Sequence, residues 1–190
     1  MKEQPMPGHL VLETGLGFAA LAWSAAGLTH LALPQATRAA AERLAARWDA
    51  AGPPVAEDAA PAFVRETILL IRRYATGETV DFALLPFDLS GADPFCRAIY
   101  AAALTLRQGE VTTYGALAEK AGFAGMARET GQALGRNPLP LLIPCHRILA
   151  AGGRIGGFSA PGGAVTKQRL LAHEGVDLQP PPPAQSSFAF

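Results

Sequence analysis

Cys145 and His146 are adjacent in the segment Leu-Leu-Ile-Pro-Cys-His-Arg, with apolar residues before the pair and an arginine after it. A thiol beside an imidazole is material for nucleophilic chemistry. The thiolate is the reactive form, and a free thiol is mostly protonated near neutral pH, so the surroundings must hold the sulfur anionic. Successive residues of a strand point to opposite faces, so direct contact within this pair needs a turn or a bridging water. Glu174, in Leu-Ala-His-Glu-Gly, closes the last predicted helix and can supply the carboxylate that orients the imidazole. Taken alone, the dipeptide is weak evidence for chemistry, and a structural cysteine with an incidental histidine is the stronger reading.

The remaining candidates for chemistry are few. Cys96 sits among apolar neighbours in a predicted helix and reads as a packing residue. Two cysteines give no disulfide framework, and with no Cys-x-x-Cys pair and four scattered histidines no zinc site is expected. No metal or cofactor is expected at all. No apolar run reaches the roughly 18 residues of a membrane span, and the first residues lack the layout of a secretion signal. A cytoplasmic protein with no membrane partner is the expectation.

The elements that must hold these groups fall into two parts. Residues 10–33 read as an antiparallel meander of three short strands, Leu10–Thr14, Phe18–Ser24 and Leu28–Leu33. A helix follows over residues 37–50, with Leu44 and Trp48 on one face, and a second starts at Pro61 and stops at Gly77. Residues 79–87 predict one more strand. The second part opens with an Asp93-capped helix over Pro94–Leu106. Two short helices, over residues 112–122 and 126–135, flank the turn Phe-Ala-Gly and match a helix-turn-helix. Ala127, Gly131 and Gly135 recur every fourth residue, a stripe nearly free of side chain that fits either a neighbouring helix or a nucleic-acid groove. A glycine-dense loop and a helix ending at Gly175 complete it. The fold class is therefore α+β: a supporting unit over residues 1–90, with a small antiparallel sheet and helices, and a mostly helical, winged helix-turn-helix-like unit over 91–178. Residues 179–190 predict a disordered proline-rich tail.

Charge separates the two parts although the total is zero. Residues 1–90 carry 7 basic and 10 acidic side chains, against 9 and 6 in residues 91–190. Between Met126 and His173, six cations (Arg128, Arg136, Arg147, Arg154, Lys167 and Arg169) face only Glu129. Such a patch can meet phosphates.

The segment running from Gly135-Arg-Asn-Pro through Pro-Cys-His-Arg to Gly-Gly-Phe-Ser, followed by Lys167–Gly175, resembles the O6-alkylguanine-DNA alkyltransferases, the methylated-DNA–protein-cysteine methyltransferases. The resemblance spans about Pro94 to Val176 and is strongest over Tyr114–Glu174. It implies that Cys145 accepts the alkyl group, that His146 takes the thiol proton through a water, and that Glu174 orients His146. It implies further that Tyr114 donates to the departing guanine and that Asn137 braces the turn before the active-site strand. Arg128 would fill the gap left by an extruded base, with Ala127, Gly131, Thr113 and Arg136 at the DNA. Gly157, Phe158 and Ser159, on the glycine-rich loop, would line the base pocket with Pro140, Ile148 and Lys167, the last beginning the final helix. Two departures stand out. Glu129 and Thr130 follow the arginine where the family commonly has small or apolar residues. Phe158–Gly163 is also a couple of residues longer than the shortest family loops.

The implied chemistry suits these residues. Transfer from an ether-like O6-alkyl group needs a soft nucleophile and stabilisation of the departing guanine. The target atom is out of reach inside a stacked duplex, so the nucleotide must be flipped out. A thioether has no easy hydrolytic exit, so each molecule acts once. The implied partner is double-stranded DNA containing O6-alkylguanine, with O4-alkylthymine as a further candidate lesion, and the implied state is a monomer. The rivals are a non-catalytic lesion-binding protein, which would not need Cys145; a Cys-His-Glu hydrolase, which would turn over; and a winged-helix regulator, which leaves the cysteine unexplained.

Overall fold

The computed structural model describes residues 5–48 and 52–178; the proline-rich tail falls outside the described residues. Strands β1 (Gly8–Thr14), β2 (Gly17–Trp23) and β3 (Leu28–Gln35) form an antiparallel meander in which Leu10 pairs with Leu21 and Leu21 with Leu31. The period of two sorts the side chains by face. Leu10, Leu12, Leu21, Trp23, Leu31 and Leu33 enter the main core, while Ala20 and Ala32 pack with Ala41 and Ala45 of α1 (Arg38–Ala45). Small residues on both sides let that helix lie close to the sheet. Thr37 caps α1 by accepting from the Ala40 N–H. The helix ends at Ala45, so Trp48 lies beyond it and stacks on His30 with ring centroids 5.3 Å apart.

Helix α2 (Ala62–Ala75) buries Val64, Thr67, Ile68, Ile71 and Tyr74, a stripe at the spacing of one helical face. The strand expected over residues 79–87 does not form. Asp81 Oδ1 accepts from the Ala83 N–H at 2.8 Å and the Leu85 N–H turns back to the Phe82 carbonyl, so the segment's own groups satisfy donors that a ladder would need. A single bridge between Leu28 and Phe87 is what remains of sheet pairing there.

In the second half, Asp93 caps α3 (Pro94–Leu104), accepting from the Cys96 N–H at 2.7 Å. A two-residue parallel pair, β4 (Thr112–Thr113) with β5 (Ile148–Leu149), joins the start of the helix-turn-helix to the residues after Cys145. Helices α4 (Tyr114–Lys120) and α5 (Ala127–Gly135) follow, with α5 tied to α3 through the Tyr100 hydroxyl on the Ala133 carbonyl. Helix α6 (Gly163–His173) closes the described chain. Buried apolar residues from the sheet, α2, α3, α4, α5 and α6 form one cluster. No helix among the described residues is long and apolar enough to cross a membrane.

Candidate active site

Cys145 lies not on a strand but in a 3-10 turn, Cys145–Arg147, whose three residues are all buried. The approach to that turn is bent by Leu141, held in the left-handed region at φ 78°, a conformation costing roughly 1–2 kcal/mol for a side chain with a Cβ. Asn137 bridges the bend. Its side-chain amide donates to the Ile143 carbonyl at 2.9 Å and lies 3.2 Å from Cys145 Sγ, while its Oδ1 accepts from the Leu139 N–H.

The turn buries His146, which is 0 % exposed. His146 Nε2 lies 2.8 Å from Glu174 Oε1. Burial lowers the His146 pKa, as do the neighbouring charges of Arg147 and Lys167, against the pull of Glu174, so the ring is neutral. With Nε2 facing a carboxylate, the proton sits on Nε2, which leaves Nδ1 as the basic nitrogen. Nδ1 is buried and has no hydrogen-bond partner among the described residues.

Glu174 is held from several sides. Arg147 donates from Nε to Oε2 at 2.8 Å and from Nη2 to Oε1 at 2.9 Å, and its Nη1 reaches the Leu106 carbonyl at 2.7 Å. The Tyr74 hydroxyl donates to Oε1 at 3.0 Å. Burial alone would raise the Glu174 pKa, but the hydrogen bonds and charges of His146 and Arg147 overcome it and hold the carboxyl at about 2.

The sulfur itself rests as a thiol. Burial pushes the Cys145 pKa up, and the Asn137 amide, the Lys167 charge and nearby backbone N–H groups oppose this without cancelling it. The expectation of a sulfur kept anionic is thus corrected: the proton must leave when the reaction occurs.

Cys145 forms part of the wall of a cavity of about 510 Å³ lined also by Tyr114, Ala127, Arg128, Gly131, Gly157, Phe158 and Ser159. Sequence reasoning named all of these. It did not name Gln132 or Leu134 as lining residues, and it placed Gly135 only in the small stripe. Arg128, exposed in the first turn of α5, stands at the rim. Tyr114 opens α4, its hydroxyl donating to the Gly157 carbonyl at 3.2 Å and its ring crossing Gly156 so closely that a Cβ there would sit 2.9 Å from Cε2. Burial, then the Cys145 charge, raises the Tyr114 pKa, so the phenol is a donor.

Other named residues lie elsewhere. Lys167 is fully buried in the second turn of α6 rather than beginning it. Its ammonium donates to the Ile148 carbonyl and lies 3.5 Å from the Tyr114 hydroxyl, and burial lowers its pKa to about 8. Pro140 lines an adjoining cavity of about 300 Å³, shared with Cys145, Asn137, Phe158 and Ser159. Thr113 caps α4. Arg136, at the end of α5, turns toward Asp93 and Cys96, 3.5 Å and 3.2 Å away, outside the residues lining the main cavity.

The basic patch is smaller than its sequence count. Arg147 and Lys167 are inside, so of the six cations Arg128, Arg136, Arg154 and Arg169 remain at the surface. The departures in α5 also find places. Glu129 is exposed in the first turn, where the helix dipole favours a carboxylate, and Thr130 points inward at 0 % exposure.

Residues 94–176 match the family model for the DNA-binding domain of 6-O-methylguanine DNA methyltransferase. A methylated-DNA–protein-cysteine methyltransferase of Methanothermobacter thermautotrophicus is 37% identical over 119 residues, 63% of this chain and 65% of that protein. One from Mycolicibacterium paratuberculosis is 41% identical over 101 residues, 53% of this chain and 59% of that protein, so each match spans less than two thirds of its relative. Solved structures align over nearly their whole length. A variant of the Mycobacterium tuberculosis O6-methylguanine methyltransferase superposes with a TM-score of 0.69 at 30% identity, covering 93% of this chain and 96% of that one. The M. tuberculosis protein in complex with DNA gives 0.69 at 29% identity, covering 88% and 92%. The chain therefore belongs to the O6-methylguanine-DNA methyltransferase family.

Proposed function

We propose that this protein repairs double-stranded DNA by transferring the alkyl group of O6-alkylguanine irreversibly to Cys145. The observation that carries the reading is the buried thiol on the wall of a cavity under the recognition helix, with a neutral imidazole and an anionic carboxylate behind it. A relative's crystal structure with DNA supports DNA as the partner. Residues 91–178 hold the acceptor and the DNA-binding helices, and residues 1–90 support them.

In the reaction the thiol proton passes to His146 Nδ1, through a bridging water as the family resemblance implies, while Glu174 fixes the ring through Nε2. The sulfur attacks the alkyl carbon opposite O6, the carbon–sulfur bond forms, and the carbon–oxygen bond breaks with its electron pair passing to guanine. Tyr114, whose hydroxyl borders the cavity, donates to the ring as that charge arrives. Lys167, beside the phenol oxygen, leaves its O–H directed away from the ammonium. Arg128 at the rim enters the base stack as the nucleotide leaves it, and the Gly131–Gly135 face of α5 admits the DNA backbone closely. The reading includes a cytoplasmic location and a monomeric state, the latter in keeping with one acceptor consumed per lesion.

The test is stoichiometric. A duplex bearing O6-methylguanine should add one methyl group to the Cys145 peptide, with about one equivalent per protein. Lesion loss with Cys145 unmodified, or many equivalents per protein, would refute it.

A further inference from the structure

The relay behind Cys145 extends into the N-terminal half of the chain. Tyr74, in the last turn of α2, is 0 % exposed, and its hydroxyl donates to the same Glu174 oxygen, Oε1, that faces His146 Nε2. The ring is wedged between Phe82 and His173, with centroids 6.0 Å and 4.9 Å away, and the Tyr74 carbonyl lies 2.6 Å from His173 Nε2. Those contacts fix where the hydroxyl points. Phenylalanine would meet the same packing demands without burying a polar group, and a buried hydroxyl is costly unless partnered. Here the partner is the carboxylate that orients the candidate base.

We propose that Tyr74 is a positioning residue of the Cys145 relay: by donating to Glu174 Oε1 it holds the carboxylate in plane and draws negative charge away from His146. The inference rests on His146 serving as the base for Cys145. Three donors share Oε1, namely Arg147 Nη2, His146 Nε2 and the Tyr74 hydroxyl. A carboxylate oxygen has two lone pairs, so each donor weakens the others. The charged and titratable groups around this point are Cys145 and Arg147 from the 3-10 turn, Lys167 and His173 from α6, Glu174 at its end, and Tyr74 from α2. Arg147 and Lys167 disfavour an imidazolium and Glu174 favours it. Taking away the Tyr74 hydroxyl leaves Oε1 more electron-rich, which favours imidazolium and removes base at the acid end of the pH range.

Tyr74→Phe keeps the ring and deletes the hydroxyl. Iodoacetamide labelling of Cys145, followed by peptide mass against pH, needs neither DNA nor lesion and so stands apart from the repair reading. Single-turnover transfer from an O6-methylguanine duplex is measured beside it. In the variant the acid limb of both profiles should move up by about half a pH unit, giving up to about threefold slower reaction far down that limb, where His146 is mostly protonated, and no more than about 1.2-fold change at pH 8. In a Glu174→Gln background the same substitution should leave the labelling profile in place. A uniform slowing at every pH would overturn the proposal, as would an equal shift in the Gln background. A shifted labelling profile in a protein that transfers no alkyl group would support the Tyr74 role while refuting the repair function.

Discussion

Glu174→Gln offers the sharpest separation of chemistry from architecture at this site. The substitution removes one negative charge and replaces an acceptor oxygen by an amide donor. Arg147, 5 % exposed, would then keep only the Leu106 carbonyl as a full partner. Breaking a buried ion pair from one side costs about 3–5 kcal/mol. For a chain of this size that lowers the melting temperature by roughly 10 °C or more. Acid titration gives a second measure. The Glu174 carboxyl is depressed from 4.5 to about 2 on folding. A depressed carboxyl contributes stability that is fully present above about pH 4.5 and is lost as pH falls through about 2, of order 3 kcal/mol in total. Urea denaturation at pH 7 and at steps down toward pH 3 should therefore show a large deficit for the Gln variant that narrows with acidification. Adding Arg147→Met, which leaves neither charge buried, should recover much of the pH 7 stability but none of the alkyl transfer. A Gln variant within about 1 kcal/mol of the parent would refute the picture of Glu174 as a desolvated hub, as would a double variant no more stable than the single one.

Two further substitutions probe the cavity. Arg128→Ala should slow repair in duplex DNA at least about tenfold while changing reaction with free O6-benzylguanine less than about twofold, because only the duplex needs its gap filled; equal losses would remove Arg128 from the flipping step. Gly156→Ala would place a methyl 2.9 Å from Tyr114 Cε2 and 3.1 Å from its hydroxyl oxygen, so the ring must move. Overpacking of this kind costs about 1–3 kcal/mol, and transfer should fall about tenfold from the displaced donor; unchanged single-turnover kinetics would show that Tyr114 need not stand where it does.

Much of this site was readable where local chemistry decides the outcome. Asp93 announces a helix start because a short polar side chain can reach the free N–H groups, and it does so here; the Thr113 cap, inside the expected helix, was not read. The Pro-Cys-His-Arg segment and Glu174 stand out as residue types. Long-range partnership left no trace in the pattern. Tyr74 reads as one more apolar position on an amphipathic helix, yet its hydroxyl meets a residue one hundred positions later. Arg147 and Lys167 count as surface cations in any charge tally, and only the packing of α6 against the Cys145 turn shows them inside. The alternating apolar residues of 79–87 matched a strand, but alternation records burial rather than pairing: Val80, Phe82 and Leu85 are buried while Leu84 is 92% exposed, without a ladder. Leu141 carried no sign of its left-handed backbone, since the demand comes from the bend that presents Cys145.

That presentation bears on why the sulfur rests protonated. A permanently anionic thiolate would react with oxidants and stray electrophiles, and if Cys145 accepts only once, as proposed above, such losses cannot be recovered. Burial at 6 % exposure and a raised pKa keep Cys145 unreactive. The same burial makes His146 neutral, which is the state that can accept the proton. One physical cause therefore prepares both partners, acid and base, in complementary forms. The transfer becomes favourable when an alkyl carbon is held beside the sulfur, because the thiolate formed there is consumed rather than sustained. In the proposed relay Glu174 must remain charged to support the imidazolium that follows, and its depressed pKa keeps it so down to about pH 2. On this reasoning specificity for the lesion resides less in the reactivity of the sulfur than in the cavity that decides which carbon can reach it.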